Sequence, residues 1–212
     1  MSVATNIQSD PRAVALDLAE RVIVSLLLGF LAARFIPSIV SDGNVVNLLL
    51  FVSEAVVVGF IVFRRPARTI SRNSSDWLYG FAGTGLALLA VPGGEGALAP
   101  AGLVVGLMTA GFLLQFWAKL VLRRSFGVVA ANRGVKVSGP YRLVRHPMYA
   151  GYLLTHIGFL LAAPALWNVA VYAALWCFQL LRIRAEERVL REDPAYLALS
   201  AQVRHRLIPG VY

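Results

Sequence analysis

The stretch GPYRLVRHPMYAGYLL, residues 139–154, places basic and aromatic side chains directly before an apolar run. Pro147 suits the first turn of a helix, because its missing N–H would have no partner there anyway. His146 precedes this proline and is therefore biased toward an extended backbone. We predict that a helix begins at Pro147, with Arg145 and His146 at its N-terminus. Such a helix end has free N–H donors and a partial positive charge, so it favours the binding of an anion.

Three further residues follow within two turns of this predicted helix. Gly151 leaves room for a ligand or for a neighbouring helix, and Tyr149 and Tyr152 supply ring faces and hydroxyl groups. The alternative interpretation is a belt of tyrosine and arginine at a membrane interface, with His146 as a cap. Taken alone, the stretch favours that alternative, so the rest of the chain has to decide between them.

Composition places the chain among integral membrane proteins. It has 212 residues, 58% of them hydrophobic, and a mean hydropathy of +0.69, whereas apolar residues including glycine make up about 45–50% of a soluble domain. The single cysteine, Cys177, excludes a disulfide framework and a Cys-x-x-Cys zinc site. We expect it to be a small buried side chain in its apolar run, and we expect no metal. Asp17 and Glu20 stand where a signal peptide needs basic residues, so we expect the N-terminus to be retained.

Six apolar segments approach the length of about 20 residues that a helix needs to cross a membrane. They are residues 16–36, 45–63, 77–91, 100–122, 147–163 and 166–181. The third is short and is broken at Pro92-Gly93-Gly94, and the helical pattern of the sixth continues to about residue 190. Pro164 separates the last two, which we expect to form a tight helical hairpin. The predicted fold is an all-α integral membrane protein with about six transmembrane helices.

Basic residues alternate with these segments. Four arginines lie in residues 64–72, seven Lys or Arg in 119–145 and six Arg from 182 onward, whereas Arg34 is the one basic residue near the opposite side. Because basic loops stay on the cytoplasmic side, we predict a cytoplasmic membrane protein with both termini and the polar C-terminal region in the cytoplasm. Contact with anionic lipid headgroups explains the formal charge of +9, so we expect membrane lipids and not nucleic acid as partners.

A second charged motif, RIRAEERVL, ends the last predicted helix at residues 182–190. Arg182 and Glu186 are four residues apart and share a helix face, as do Glu187 and Arg191. Two adjacent glutamates opposite the basic loop at His146 can bind a ligand that carries charges of both signs. The alternative is a solvated helix extension with surface ion pairs, each worth at most about 1 kcal/mol.

These motifs, in this order, resemble the membrane methyltransferases of the isoprenylcysteine carboxyl methyltransferase type, to which the phospholipid N-methyltransferases are related. The resemblance is carried by SGPYRLVRHPMYAGYLL, a helical hairpin of about 30 residues, RIRAEERVL, and DPAYLALSAQVRHRLIPG. It covers residues 119–210, a little under half of the chain. The first three helices resemble no family that we name.

The resemblance implies S-adenosylmethionine as the methyl donor. It places the adenine against backbone at residues 134–137, the cofactor carboxylate near His146, and its ammonium or ribose hydroxyls near Glu186. It also implies an arginine beside the acceptor, which is Arg182, or Arg184 if the register differs by two residues. The implied cofactor-binding residues are Val135, Lys136, Val137, Tyr141, Arg145, His146, Pro147, Met148, Tyr149, Gly151, Glu186 and Glu187, and the implied catalytic residues are Arg182 and Glu186.

The acceptor implied by the resemblance is lipophilic: a prenylated cysteine carboxylate, a phospholipid amine or a small thiol. The chain departs from the family pattern at Asp193-Pro194, where it is shorter, and at Leu199, where a tyrosine is usual. Both changes fall where the protein would close over the acceptor. We divide the chain into N-terminal helices of unassigned role, residues 1–98, and a methyltransferase-like membrane core with a cytoplasmic cofactor pocket, residues 99–212.

Two other functions remain open at this point. Membrane sterol reductases carry a similar Arg-His-Pro-x-Tyr-x-Gly segment and use NADPH, although they are much longer. A non-catalytic transport or assembly protein would use Glu54, which lies in the middle of the second predicted span. The sequence does not decide the oligomeric state.

Overall fold

The structure, a computed structural model, describes residues 4–6, 11–33, 36–42, 45–91 and 96–212. The predicted break at Pro92-Gly93-Gly94 and the basic residue Arg34 lie outside these ranges, and the side chain of Glu54 is outside the described side chains. The described chain is mostly helical, which agrees with the predicted fold class. Its helices are α1 (Pro11–Ala33), α2 (Ile36–Asp42), α3 (Val45–Val62), α4 (Ser74–Gly85), α5 (Ala101–Leu122), α6 (Pro147–Ala162), α7 (Leu166–Leu190) and α8 (Pro194–Gln202).

The predicted apolar segments and the observed helices agree closely from α3 onward. Helix α6 begins at Pro147 as predicted, and α7 runs without a break to Leu190. The first segment differs, because α1 already begins at Pro11 and a separate short helix, α2, starts at Ile36. The third segment is α4 followed by a 3₁₀ turn over Leu86–Leu89. Proline marks several of these starts, since it fits the first helical turn.

A small antiparallel sheet, which the sequence did not predict, joins three connecting segments. Its strands are β1 (Ala4–Asn6), β2 (Thr69–Ser71) and β3 (Ala131–Asn132), in the order β1-β2-β3. Thr69 pairs with Asn6 on one side and with Asn132 on the other. The sheet therefore gathers the segment before α1, the loop after α3 and the loop after α5 at one end of the helices.

Polar contacts also close the opposite end. The side chain of Asn168, at the start of α7, hydrogen-bonds both the N–H and the C=O of Val91 at 2.9 and 3.0 Å. Trp167 donates to the carbonyl of Leu89 at 2.8 Å. The start of α7 is thereby tied to the segment after α4.

Two helices are long and apolar enough to cross a membrane among the described residues, at 101–125 and 166–190. Only 17% of the apolar window in the first is buried against the rest of the protein. An apolar helix that is so little covered leaves most of its surface for lipid. Cys177 is exposed on α7, so the expectation of a buried cysteine was wrong: the outer face of this helix also carries apolar side chains.

Helices α5 and α6 approach so closely that glycine is required at their contact. A Cβ atom on Gly151 would lie 2.6 Å from the carbonyl oxygen of Gly111, and one on Gly111 would lie 2.6 Å from that of Gly151. Of the two roles that the sequence allowed for Gly151, the structure shows the close approach of a neighbouring helix. This contact fixes the start of α6, and with it His146, relative to α5.

Candidate active site

A cavity of about 110 Å³ lies where the loop after α5 meets the start of α6 and the end of α7. We call it the loop cavity, and its walls include Phe126, Gly127, Arg145, Tyr149, Glu186 and Tyr196. Arg133 and Lys136 also line it, so it combines apolar walls with basic side chains and a carboxylate. Burial raises the pKa of Tyr141, which also lines the cavity, so its hydroxyl stays protonated at neutral pH.

The start of α6 is held by the C-terminal segment. The backbone N–H of Arg145 donates to the carbonyl of His205 at 3.0 Å, and that of His146 donates to the carbonyl of Arg206 at 2.9 Å. Leu207, the next residue, is buried in the core. Residues 205–207 thus fix the basic loop that the sequence singled out.

Glu187 is a buried carboxylate at the centre of a cationic cluster. Its oxygens lie 3.1 Å from Arg145 Nη2, 3.3 Å from His146 Nε2 and 2.9 Å from Arg206 Nη2. The predicted i,i+4 pair with Arg191 is present at 3.7 Å. Glu187 does not line the loop cavity. Its negative charge partly neutralises the positive charge of Arg145 and Arg206 at the start of α6.

Glu186, the neighbouring residue, does line the loop cavity. Its Oε1 accepts hydrogen bonds from the hydroxyl of Tyr149 and from Nε of Arg182, the latter at 3.3 Å. Its Oε2 lies 3.8 Å from His146 Nδ1. The predicted pair of Arg182 and Glu186 is therefore formed, and it is far better shielded than a solvated surface pair.

A second cavity, of about 510 Å³, lies among the helices. We call it the helix cavity. It is lined by residues of α1 and α3 to α7 and of the loop after α5, among them Leu28, Val57, Lys119, His156, Gln179 and Arg182. Phe126 lines both cavities. Since Arg182 faces the helix cavity and its partner Glu186 faces the loop cavity, this ion pair stands in the wall between them.

Arg182 is held rigidly in that wall, with only 3% of its surface exposed. Nη1 donates to the hydroxyl of Thr84 and Nη2 to the carbonyl of Gly127, at 3.3 and 3.2 Å. Its guanidinium carbon lies 5.3 Å from the centre of the Tyr149 ring. The guanidinium is thus fixed by α4, by the loop after α5 and by α6 at once.

The loop after α5 is anchored to α1 by a buried cluster of charged side chains. Glu20 Oε1 accepts the backbone N–H groups of Val128 and Val129 at 2.7 and 3.0 Å. Its Oε2 lies 2.9 Å from Arg64 Nη2 and 2.5 Å from Arg133 Nη2. Both arginines also pair with Asp17 at 2.9 Å. We call Asp17, Glu20, Arg64 and Arg133 the ionic cluster.

This cluster corrects one expectation. Arg64 and Arg133 were counted among the residues that meet lipid headgroups, but both are buried and bound to carboxylates of α1. The cost of removing a guanidinium from water is too high unless a paired charge offsets it, and Asp17 and Glu20 supply that charge. The positions of basic residues in alternate loops do not show whether a given residue contacts lipid or is buried in an ion pair.

The structure brings most of the predicted residues together. Those lining the loop cavity are Val135, Lys136, Tyr141, Arg145, His146, Met148, Tyr149 and Glu186. Arg182 lines the helix cavity. Val137 is 56% exposed, and Pro147, Gly151 and Glu187 lie outside both walls. Arg184, the alternative for Arg182, is exposed.

Sequence reasoning missed several residues that build the site. The aromatic and apolar wall of the loop cavity includes Phe126, Leu190 and Tyr196. Thr84 and Glu20 act from helices for which the sequence suggested no role. One signal could have found the ionic cluster. Asp17 and Glu20 lie on one face of an apolar helix, and buried carboxylates require partners, so basic residues were to be expected beside them.

A comparison with protein families agrees with this geometry. Residues 103–192 match the model of the isoprenylcysteine carboxyl methyltransferase (ICMT) family. No curated protein matches the chain. The matched range contains every predicted site residue, whereas Glu20, Arg64, Tyr196 and Arg206 lie outside it. Over residues 103–192 the chain carries the pattern of the ICMT family, a family of membrane methyltransferases, and the resemblance inferred from the motifs is confirmed.

Proposed function

We propose that the protein is a membrane methyltransferase that uses S-adenosylmethionine and methylates a lipophilic acceptor. The observation that carries the proposal is the ion pair of Arg182 and Glu186, which stands between the loop cavity and the larger helix cavity. A transferase that joins a charged donor to a lipophilic acceptor needs two such compartments that meet at one point.

The loop cavity fits the donor chemically. Arg145, His146 and Lys136 line it, and their side chains can donate hydrogen bonds to the cofactor carboxylate. Glu186 suits its ammonium or its ribose hydroxyls, and backbone at residues 134–136 suits the adenine. When bound, S-adenosylmethionine supplies an electrophilic methyl group on a positively charged sulfur. The Tyr149 ring, already 5.3 Å from Arg182, is suited to a cationic neighbour.

The size of the loop cavity implies movement on binding. Its volume of about 110 Å³ is below the roughly 300–1,000 Å³ of typical ligand pockets. The loop after α5 and helix α8 supply several of its walls, including Val135, Tyr196 and Leu199. We expect these elements to shift outward when the cofactor binds, while α6 and α7 keep their positions.

The helix cavity fits an acceptor with an apolar body and a negatively charged group. Its volume of about 510 Å³ lies within the range of ligand pockets. Lys119 and Arg182 line it, and none of the described lining residues carries a carboxylate. This favours a carboxylate acceptor over an amine. A carboxylate is already nucleophilic and needs no general base, so the task of Arg182 is to orient it.

The membrane arrangement belongs to the same proposal. Helices α1, α3, α4, α5, α6 and α7 would cross the membrane, with the site and both termini on the cytoplasmic side. The sheet and the basic loops lie at the end that holds the site, which supports this orientation. The acceptor would enter the helix cavity from the lipid, and the cofactor would enter from the cytoplasm.

The test separates the roles of Arg182 and Glu186. Binding of S-adenosylmethionine and transfer of its labelled methyl group to a farnesylated cysteine carboxylate are measured for Arg182→Ala, Glu186→Ala and the exposed control Arg184→Ala. We expect Glu186→Ala to lose cofactor binding. Arg182→Ala should keep binding but lose about 100-fold in turnover, because the acceptor is misplaced. Arg184→Ala should match the wild type. Loss of cofactor binding in Arg182→Ala would show that the roles are assigned wrongly.

A further inference from the structure

The side chain of Arg206 lines neither cavity, but it binds a carboxylate that two residues of the loop cavity also approach. Its Nε and Nη2 lie 3.0 and 2.9 Å from Oε2 of Glu187. The other oxygen of this carboxylate, Oε1, lies 3.1 Å from Arg145 Nη2 and 3.3 Å from His146 Nε2. Arg206 therefore binds one oxygen of Glu187, and the two cavity residues lie next to the other oxygen.

Arg206 is held in this position by its own backbone and by an aromatic ring. Its carbonyl accepts the backbone N–H of His146 at 2.9 Å, so it is tied to the start of α6. The next residue, Leu207, is buried in the core. The ring centre of Tyr212 lies 5.0 Å from the guanidinium carbon of Arg206, and the main-chain oxygen of Tyr212 accepts the N–H of Leu207 at 2.7 Å. A side chain that is already fixed at these points loses little conformational entropy when it binds Glu187.

The contact with Arg206 decides how Glu187 can pair with Arg145. A guanidinium and a carboxylate pair most strongly through two parallel hydrogen bonds, which use both carboxylate oxygens. Since Arg206 binds Oε2 through two nitrogens, this oxygen is not free to complete such a pair with Arg145. Without Arg206, Glu187 would draw the Arg145 guanidinium into a two-point pair and away from the loop cavity, which Arg145 lines. The charge of Arg206 also offsets that of Glu187, so that more of the charge of Arg145 attracts a bound anion.

We propose that Arg206 is a positioning residue for the methyl donor: by holding Oε2 of Glu187, it keeps Arg145 and His146 available to the carboxylate of S-adenosylmethionine. The proposal rests on the proposed function for the identity of the ligand. It predicts a defect confined to the cofactor carboxylate, because other residues of the loop cavity are proposed for the adenine and the ammonium. Arg206 lies outside the residues that match the family model, so the match assigns it no role.

The test compares two ligands that differ in this carboxylate. S-adenosylmethionine and its decarboxylated form, which keeps the adenosine, sulfonium and ammonium groups, are each titrated calorimetrically into the detergent-purified full chain at one ionic strength. The variants are Arg206→Gln and Tyr212→Leu. The matched control is Arg191→Gln, because Arg191 lies 3.7 Å from the same oxygen of Glu187 while its side chain is 60% exposed. The readout is the ratio of the two dissociation constants.

We expect the wild type to bind S-adenosylmethionine about 10- to 100-fold more tightly than the decarboxylated form, the effect of a charge-assisted hydrogen bond. Arg206→Gln should lower this ratio by about fivefold or more, and Arg191→Gln should keep it. Tyr212→Leu, which removes only the ring beside the guanidinium, should lower the ratio by about twofold. This second variant keeps the test decisive if Arg206→Gln does not fold.

A merely structural role for Arg206 would weaken the binding of both ligands equally. A ratio that is unchanged in Arg206→Gln and in Tyr212→Leu would therefore overturn the proposal. An equal loss in Arg191→Gln would also overturn it, because any nearby positive charge would then suffice. If the wild type binds both ligands with the same affinity, the proposal fails and the proposed function stands. If the wild type binds neither ligand, the proposed function fails and the proposal fails with it.

Discussion

At the scale of single residues, two adjacent glutamates have different environments. Glu187 is surrounded by Arg145, His146 and Arg206, whereas Glu186 faces the loop cavity beside Tyr149 and Arg182. The sequence predicted that both lie near the basic loop and assigned both to the cofactor. It could not separate them, because neighbours on a helix point about 100° apart and the direction of the site depends on how α7 packs. Only the fold shows that Glu187 is enclosed by basic side chains, whereas Glu186 lines the loop cavity.

Asp193 gives a prediction at the same scale. It accepts the side-chain N–H of Asn132 at 2.8 Å and caps α8 through the N–H of Ala195 at 2.9 Å. The hydrogen bond from Asn132 is the main cause that lowers the pKa of Asp193 below its ordinary value of 3.8. A carboxyl whose pKa is lowered by folding stabilises the fold above its unfolded pKa, and this contribution is lost as the pH falls through the folded pKa.

We therefore expect Asp193→Ala to open α8 more readily than the wild type at about pH 7 and to show a smaller difference near pH 3. The loss at neutral pH should be about 0.5–2 kcal/mol, the usual effect of removing such a cap. Hydrogen exchange of residues 194–202, corrected for intrinsic rates, measures it, with Ser200→Ala as the control. A difference of the same size at both pH values would contradict the assignment.

At the scale of elements, the positions of the helices could be predicted from the sequence, whereas the contacts between distant segments could not. Long apolar runs bounded by proline or by charged residues predicted the first and last residues of α3, α5, α6 and α7 to within a residue or two. The strands, of two or three residues, were not predictable, since each is too short to show a pattern and is defined by partners more than 60 residues away. The same holds for the ionic cluster, whose four members come from three separate segments.

The ionic cluster gives the prediction for this scale. Glu20→Gln keeps the size of the side chain but removes a charge that faces Arg64 and Arg133. Breaking a buried ion pair in this way costs about 3–5 kcal/mol. It also weakens the hold on Val128 and Val129, next to the Gly127 carbonyl that receives Arg182. We expect a lower melting temperature and weaker binding of S-adenosylmethionine.

The matched control for this prediction is Arg68→Gln, which breaks a surface pair with Asp193 at 3.6 Å where Arg68 is 72% exposed. Exposed pairs contribute little, so it should behave like the wild type. Thermal unfolding in detergent, followed by circular dichroism, compares the two variants. If Glu20→Gln melts together with Arg68→Gln, the cluster does not hold the loop.

At the scale of the whole molecule, the N-terminal helices form part of the site. Helices α1, α3 and α4 contribute Leu28, Val57 and Thr84 to the helix cavity. The division at residues 98 and 99 stays a prediction, but the cavity crosses that boundary. The sequence located the residues of the loop cavity through its motifs. It could not locate the helix cavity, because lipid-facing and cavity-facing leucines look the same in a membrane helix.

The six-helix arrangement predicts which side of the membrane each loop faces. In a Cys177→Ser background, single cysteines are placed at the exposed positions Ser74, Gln202 and Ala97. A membrane-impermeant maleimide should label the first two from the cytoplasmic side in inverted vesicles and the third from the outside of intact cells. Labelling of all three from one side would contradict the alternation of the helices.

The most direct measurement is calorimetric titration of S-adenosylmethionine into the detergent-purified protein, with NADPH as comparator and Glu186→Ala as the site variant. A methyltransferase site predicts saturable binding of S-adenosylmethionine, no binding of NADPH, and loss of binding in Glu186→Ala. Binding of NADPH alone, or binding of S-adenosylmethionine that survives in Glu186→Ala, would contradict the assignment of the loop cavity as the cofactor site.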